Sequence, residues 1–222
     1  MARGILWIVL IVCALLLAGC SSHPPSAAQF MNVKEDEGDI VVGGTAKIGD
    51  LHRGKNRLQS DYSDVELFGD LDVSLLFRYS HLVLGLYSEN LYSISGLAGS
   101  RWEYVGVQGW FGMSVLVVDK QVPIYGGLML IEEYPVSKNL RVGLSEHISR
   151  NAHGVDKNEA GLGSPATGFY HEFGTGIYLA YKDFSAEFRY GREIDEPRNR
   201  FYFMVNYGFD SEKKKKKKGQ NV

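Results

Sequence analysis

The segment from Asp64 to Tyr79 constrains the fold more than any other part of this chain of 222 residues. Apolar or small residues occupy every second position from Val65 to Tyr79, and polar residues fill most positions between them. Side chains of a β-strand point alternately to its two faces, so this period of two predicts one long, two-faced strand. Its 16 residues would extend ~50 Å, whereas soluble sheets usually contain strands of ~5–6 residues. The length favours a sheet that spans a membrane.

Seven further segments repeat this pattern with varying regularity. They are Ile40 to Ile48, Leu82 to Ser88, Arg101 to Val118, Val122 to Glu133, Phe169 to Tyr181, Phe184 to Gly191 and Phe201 to Phe209. Tyr, Phe and Gly are abundant, and no helical period is sustained beyond the N-terminal apolar run, as is typical of an all-β protein. The sequence therefore predicts eight strands.

The connections between these segments alternate between short and long. Tight turns are predicted at Ser80-His81, Asp119-Lys120-Gln121 and Lys182-Asp183, and longer connections at 49–62, 89–100, 134–167 and 194–198. In an up-and-down meander this alternation collects the tight turns at one end, together with both termini. We therefore predict an eight-stranded antiparallel up-and-down β-barrel of outer-membrane type. Two alternatives stay open: an extra strand within 140–149, and a soluble β-sandwich.

Charged residues follow the inward-facing positions of the predicted strands. In a narrow barrel these charges would pair and hydrogen-bond with one another inside the lumen. The predicted lumen ion network contains Glu66, Asp70, Asp72, Arg78, Glu172, Glu187 and Arg189. Aromatic residues near the tight turns favour an interfacial girdle, formed by Tyr79, Tyr181, Phe184 and Phe209. The C-terminal aromatic of the last strand resembles the assembly signal of outer-membrane barrels.

The N-terminus carries a short apolar run, Ile5 to Ala18, behind Arg3. Its 14 residues are fewer than the ~20 that a membrane-spanning helix needs, so a secretory signal is predicted, with an uncleaved membrane helix as the alternative. The run ends in Leu17-Ala18-Gly19-Cys20, which resembles the lipobox of bacterial lipoproteins. The resemblance implies cleavage before Cys20 and acylation of that cysteine. Ser21 follows it, which by the same resemblance implies delivery to the outer membrane.

These features divide the chain into four parts. Residues 1–19 are a lipoprotein signal peptide, 20–38 a flexible tether, 39–209 the barrel domain, and 210–222 a disordered lysine-rich tail. The tether is polar and contains proline and an acidic cluster at 35–37. Cys13 leaves with the signal peptide, so Cys20 is the remaining cysteine and no internal disulfide is expected.

Charge and histidine spacing narrow the expected partners. Residues 20 to 210 contain 17 Lys and Arg against 25 Asp and Glu, a formal charge of −8, which is not the profile of a nucleic-acid binder. The histidines show no metal-ligand spacing, so neither a metal nor a cofactor is predicted. The expected partner is membrane lipid, bound through the N-terminal acyl anchor, with lipopolysaccharide as one candidate.

One stretch has a catalytic pattern, from Glu146 to Ala152 with Glu159 downstream. It resembles the His-x-Ser-Asn-Ala motif of the lipid A 3-O-deacylase family, which are eight-stranded outer-membrane barrels. The resemblance implies that His147 is the base, Ser149 the nucleophile and Glu159 the group that orients the histidine. His and Ser two residues apart on a strand do share a face, as base and nucleophile must. The alternative is a polar outer loop that happens to contain both.

Together these patterns predict an outer-membrane, lipid-anchored β-barrel with its termini on the periplasmic side. Its role would be structural or ligand-binding through the outer loops, with no reaction assigned and enzymatic activity not favoured. One alternative is a lipid A acyl-ester hydrolase in the barrel wall. Another is a soluble periplasmic β-domain lipoprotein that binds a partner.

Overall fold

The computed structural model describes residues 22–33, 40–50, 67–89, 93–114, 124–154, 167–194 and 199–210. These residues form one short helix, α1 (Ala27–Asn32), and ten β-strands. The strands are β1 (Ile40–Asp50), β2 (Leu67–Tyr79), β3 (Leu82–Glu89), β4 (Ser93–Arg101), β5 (Val105–Ser114), β6 (Ile124–Pro135), β7 (Leu140–Gly154), β8 (Thr167–Tyr181), β9 (Phe184–Glu193) and β10 (Asn199–Asp210). Within the described residues, no helix is long and apolar enough to span a membrane.

The strands close into a barrel. Each strand pairs antiparallel with its neighbours in sequence, and β1 also pairs with β10, where Val41 lies opposite Asp210 and Gly49 opposite Tyr202. Closure removes the unpaired edges that an open sheet would present. The prediction of an all-β, antiparallel, up-and-down barrel is confirmed.

Alternation along each strand separates an outer face from a lumen face. In β8 the side chains of Phe173, Ile177 and Tyr181 are exposed on the outside, whereas Tyr170 and Glu172 are buried in the lumen. The same period of two that the sequence shows therefore sets which residues meet the lumen. The barrel interior is consequently polar and aromatic, and its exterior is apolar.

The predicted number of eight strands was too low, since the barrel has ten. The two additional strands lie within the predicted loops 89–100 and 134–167. β4 consists largely of Ser, Gly and Ala, so its inward and outward positions differ little in polarity and it carries no alternating signal. β7 does alternate, and the alternative of an extra strand within 140–149 corresponds to its first ten residues.

The two ends of the barrel differ in their connections. The short-turn end carries the turns at 80–81, 102–104, 136–139 and 182–183, where Ser80 and Lys182 adopt positive φ angles of 54° and 55°. The long-loop end carries the connections 51–66, 90–92, 115–123, 155–166 and 195–198, all outside the described residues. The predicted tight turn at 119–121 belongs to this second end, because β5 runs towards it and β6 runs away from it. β1 begins and β10 ends at the short-turn end.

The largest difference from the sequence prediction concerns the tether. Residues 22 to 33 of the predicted flexible tether (20–38) lie inside the barrel, and Phe30, Met31 and Val33 have no exposed surface. We call Ser22–Val33 the plug. Burial of its apolar side chains in the lumen gains free energy, which compensates for the conformational entropy that a free tether would retain. The predicted signal peptide (1–19) and residues 211–222 of the predicted tail lie outside the described residues.

Candidate functional site: the plugged lumen

The plug begins near the long-loop end of the barrel. The Ser22 backbone N–H donates to the Ala152 carbonyl at 2.7 Å, and the Ala152 N–H donates to Ser22 Oγ at 2.7 Å. The next residue, His23, approaches the other side of the lumen, where its N–H donates to Glu89 Oε2 at 3.1 Å and its Nδ1 lies 2.8 Å from Glu89 Oε1. Both partners lie at or near the long-loop ends of their strands, so the start of the plug is fixed there.

An arginine holds the middle of the plug. Arg189 donates to the carbonyls of Pro24 and Pro25 at 3.1 and 3.2 Å and forms an ion pair with Glu187 on the same face of β9. Glu187 in turn accepts from Ser26 Oγ at 2.9 Å. These bonds satisfy buried carbonyls and a buried carboxylate that would otherwise be costly in the lumen.

The helix α1 starts where this network ends. Ser26 is its N-cap, since Ser26 Oγ accepts from the Gln29 N–H at 3.2 Å. From the first turn, the Gln29 side chain crosses to β2, where Ser74 Oγ donates to Gln29 Oε1 at 2.8 Å. The cap and this contact orient the helix within the lumen.

Two glycines of the barrel wall make room for the apolar side of the helix. A Cβ at Gly99 would lie 2.7 Å from Phe30 Cζ, and a Cβ at Gly106 would lie 2.6 Å from Met31 Sδ. Real Cβ atoms do not approach this closely, so a side chain at Gly106 would press on the plug, and one at Gly99 would meet both the plug and the Val107 carbonyl of the neighbouring strand. The wall is shaped to accept Phe30 and Met31.

Three arginines secure the plug at the short-turn end. The Val33 carbonyl accepts from Arg78 Nη1 at 3.2 Å and from Arg101 Nη1, while Arg141 donates to the Met31 carbonyl at 3.2 Å and to Asn32 Oδ1 at 2.7 Å. The last carbonyls of a helix have no partner within it and carry partial negative charge. The guanidinium groups therefore cap α1.

A second polar network lies in the wall nearer the long-loop end. His147 Nε2 is 2.8 Å from Glu172 Oε1, and Tyr202 donates to Glu172 Oε2 at 2.6 Å. Arg200 Nε lies 3.9 Å from Glu172 Oε2, and Arg200 Nη2 lies 3.7 Å from Glu193 Oε2. The guanidinium group of Arg200 also lies over the ring of Tyr170. This network is fully enclosed, so it serves to hold β7, β8, β9 and β10 together through charge-assisted hydrogen bonds.

The residues of the predicted lumen ion network divide into two groups. Asp72, Arg78, Glu172, Glu187 and Arg189 are all buried and face the lumen, with Asp72 accepting from the Tyr87 hydroxyl at 2.8 Å. Glu66 and the side chain of Asp70 lie outside the described residues, as do Cys20 and Glu159.

Two of the three predicted catalytic residues face the lumen and not the outside of the barrel. His147 and Ser149 are 2% and 3% exposed and point into the lumen. Among the described residues, the acid beside His147 is Glu172, which lies directly opposite Ser149 in the β7–β8 register. The predicted orienting acid, Glu159, lies outside the described residues. The alternating sequence of β8 is enough to place Glu172 on the lumen face. Its pairing with His147, however, depends on the register between β7 and β8, which the sequence alone does not show.

We expect Ser149→Ala to leave lipid A unchanged. A lipid ester outside the barrel cannot reach a hydroxyl that is enclosed in the lumen. The check is mass spectrometry of lipid A from cells producing the wild-type protein, the variant or neither. Loss of an acyl chain with wild type but not with Ser149→Ala would contradict this expectation.

The sequence reasoning singled out Arg78, Glu187 and Arg189 but missed other charged groups around the plug. Glu89, Arg101, Glu133 and Arg141 all face the lumen, and Glu133 accepts from Arg141 at 3.2 Å and from the Tyr178 hydroxyl at 2.9 Å. Glu89 falls within the predicted connection 89–100, and Arg101 begins a predicted strand with an irregular pattern. In the part of the chain that is described, no group of three His, Cys, Asp or Glu residues is arranged to hold a metal.

Comparison with known proteins finds likeness in structure alone. No protein-family profile and no curated sequence matches the chain. Among solved structures, the chain is similar to Neisserial surface protein A, with 13% identity over 77% of this chain and 97% of that one and a TM-score of 0.41. It is also similar to the N-terminal β-barrel domain of Pseudomonas aeruginosa OprF, with 11% identity over 78% and 100% of the two chains and a TM-score of 0.35. A third is Ail of Yersinia pestis, with 7% identity, 79% and 99% coverage and a TM-score of 0.37.

Proposed function

We propose that the protein is an outer-membrane lipoprotein whose ten-stranded barrel spans the bilayer with its lumen closed by its own N-terminal segment. Its role is structural or surface-binding, through the connections at the long-loop end, rather than transport. The observation that carries the proposal is the combination of an apolar exterior with a filled, polar interior. The lipobox-like Leu17-Ala18-Gly19-Cys20 supports the lipid anchor.

The outer face exposes far more apolar surface than a soluble monomer tolerates. Each strand exposes at least one large apolar side chain to the outside, and Leu75, Leu128, Ile177 and Phe203 are each at least 46% exposed. Soluble proteins rarely expose contiguous apolar patches beyond a few hundred Å². A continuous apolar belt of this kind is stable in lipid, which argues against a soluble periplasmic domain.

An aromatic girdle surrounds the short-turn end. Tyr79, Trp102, Tyr134, Tyr181 and Phe184 are all exposed, and all lie in the last or first residues of strands or in the turns between them. Amphipathic aromatic rings favour the boundary between lipid and water. The girdle therefore marks the level at which the short-turn end leaves the bilayer.

The lumen leaves no room for bulk transport. The plug crosses it from Ser22 near the long-loop end to Val33 at the short-turn end, and Arg189, Arg200, Tyr170 and Tyr202 are each almost completely buried around or beside it. A small barrel whose interior is filled by side chains is a structural body and not a channel. Surface binding would then fall to the connections at the long-loop end.

The proposal is tested by fractionation of cells that produce wild type or Cys20→Ala. An embedded barrel should stay in the membrane after carbonate washing without its lipid, and it should migrate differently in detergent gels before and after heating. Release of Cys20→Ala as a soluble protein, with no change in migration on heating, would instead identify a soluble lipoprotein domain.

We expect Ile177→Arg to destabilise the barrel by ~2–4 kcal/mol in lipid vesicles, because it places a charge on the outer face of β8. The matched control is Tyr181→Arg, four residues along the same face at the girdle, with an expected cost of ~0–1 kcal/mol. Unfolding by guanidinium in vesicles measures both. Equal losses for the two variants would argue against a bilayer around this face.

Carboxylates interrupt the apolar belt at two described strand positions, Glu132 beside the girdle and Glu146 deeper in the wall. Glu146 is exposed on the outer face of β7, between Leu144 and Ile148 and opposite Leu130 and Thr175 on the neighbouring strands. Acidic groups facing lipid are unfavourable, so we expect Glu146→Leu to stabilise the barrel in vesicles. Vesicle unfolding measures the change. A destabilised variant would show that Glu146 has a partner that the apolar leucine cannot replace.

A further inference from the structure

We propose that the acylated Cys20 lies at the long-loop end of the barrel, opposite to the C-terminal strand end, so that its lipid enters the outer leaflet at the cell surface. The inference rests on the proposed function, since it requires both an embedded barrel and an acylated cysteine. It reverses the sequence-based expectation that both termini lie on the periplasmic side.

The contacts along β7 show how much of the barrel's length the plug spans. Ser22 is hydrogen-bonded to Ala152 near the long-loop end of β7, and Met31 and Asn32 are hydrogen-bonded to Arg141 at the other end of the same strand. Ala152 and Arg141 are separated by eleven residues, or ~36 Å along the strand. The plug therefore crosses nearly the whole lumen.

Two other strands show the same direction of travel. On β9, Arg189 binds Pro24 and Pro25, while Glu187, which lies nearer the short-turn end, binds Ser26. On β2, Ser74 binds Gln29, while Arg78, again nearer the short-turn end, binds Val33. On each of these three strands the contacts advance in the same order, so the plug is threaded from the long-loop end to the short-turn end.

The chain length between Cys20 and Ser22 then fixes the position of the lipid. Two residues span at most ~7 Å, far less than the separation of Ala152 and Arg141, which is ~36 Å along the tilted strand and ~25–30 Å along the barrel axis. In outer-membrane barrels the short turns face the periplasm and the longer connections face outward. An acyl group on Cys20 is thus on the outward side, while β10 ends on the periplasmic side.

This arrangement gives the acyl group a role beyond anchoring. A barrel embedded by its wall does not need a lipid to stay in the membrane. At the long-loop end, however, the lipid would tether the free end of the plug beside its binding partners Glu89 and Ala152. The lipid would therefore keep the plug at a high effective concentration within the lumen.

Crosslinking in the acylated, full-length protein tests where the plug begins. After signal cleavage the only native cysteine is Cys20, which is blocked by lipid, so introduced pairs can be read cleanly. We expect a short bis-maleimide to join Ser22→Cys with Ala152→Cys, and not Ser22→Cys with Arg141→Cys at the opposite end of β7. A second pair at the long-loop end, His23→Cys with Glu89→Cys, should also crosslink and covers the case in which the first pair folds poorly.

Labelling in intact cells tests which end faces outward. A membrane-impermeant maleimide should label Lys157→Cys in the 155–166 connection, and should label Lys138→Cys at the short-turn end only after the outer membrane is permeabilised. Failure of both long-loop crosslinks, or labelling of Lys138→Cys in intact cells, would overturn the inference.

Incorporation of an alkyne palmitate, lost in Cys20→Ser, distinguishes failure of the inference from failure of the proposed function. Acylation with no long-loop crosslink would overturn the threading and leave the lipoprotein intact. Absence of acylation would overturn both proposals, and crosslinks that still formed would show that the plug is threaded without a lipid.

Discussion

Removal of residues 22 to 33, with Cys20 and Ser21 retained, is expected to convert a non-conducting barrel into a conducting one. These residues cross the lumen, and Phe30, Met31 and Val33 are completely buried within it. Without them, Arg78 and Glu187 would lose their contacts to the plug, and water could take the place of the plug. A ten-stranded barrel is also wider than an eight-stranded one, and the interior of an eight-stranded barrel is just narrow enough for side chains to fill.

Single-channel recording in planar bilayers measures this change. The wild-type protein should remain silent at voltages where the deletion variant shows steps of current. A matched control replaces residues 22 to 33 by a Gly/Ser segment of the same length, which preserves the connection but not the contacts, and it should also conduct. A folded, heat-modifiable deletion variant that stays silent would show that the wall side chains close the lumen by themselves.

Arg189→Met is expected to reduce the free energy of unfolding by ~3–5 kcal/mol, the cost of leaving one partner of a buried ion pair uncompensated. Arg189 and Glu187 are both fully buried, and Arg189 also binds the Pro24 and Pro25 carbonyls. Its loss removes the partner of Glu187 and two contacts to the plug. We therefore expect the plug to loosen as the barrel weakens.

Guanidinium unfolding in lipid vesicles gives the free energy, and protease sensitivity of the plug gives the loosening. The matched control is Arg192→Met, which lies on the same strand but is exposed near its long-loop end. It should change the free energy of unfolding by no more than ~1 kcal/mol. The double variant Glu187→Gln with Arg189→Met removes both charges and should recover part of the loss. Equal behaviour of Arg189→Met and Arg192→Met would contradict a central role for the pair.

The sequence predicted the faces of the strands better than their number. Alternation from Leu71 to Tyr79 in β2, and throughout β8 and β10, follows directly from apolar exteriors and polar interiors. β4 was not predicted, because its Ser, Gly and Ala side chains fit either environment and give no contrast. Gly99 of this strand is nevertheless required, since a Cβ there would meet Phe30 of the plug and the Val107 carbonyl.

The lumen contacts depend on register, which a single sequence does not encode in any local pattern. Asp72, Glu187 and Arg189 could be assigned to the lumen from period two, but the plug carbonyls that Arg189 binds lie more than 160 residues away along the chain. The plug was interpreted as a tether because its prolines and polar residues resemble a linker. Only the cluster Phe30-Met31 hinted otherwise, and its binding site is assembled from several distant strands.

The most direct test of a threaded plug is a crosslink at mid-lumen between Gln29→Cys and Ser74→Cys in the folded, unheated protein. Ser74 faces the lumen and donates to Gln29, whereas its neighbour Val73 faces outward. A short bis-maleimide should join residue 29 to residue 74 and should not join it to Val73→Cys. No crosslink to residue 74, or equal crosslinking to residue 73, would contradict a plug inside the barrel.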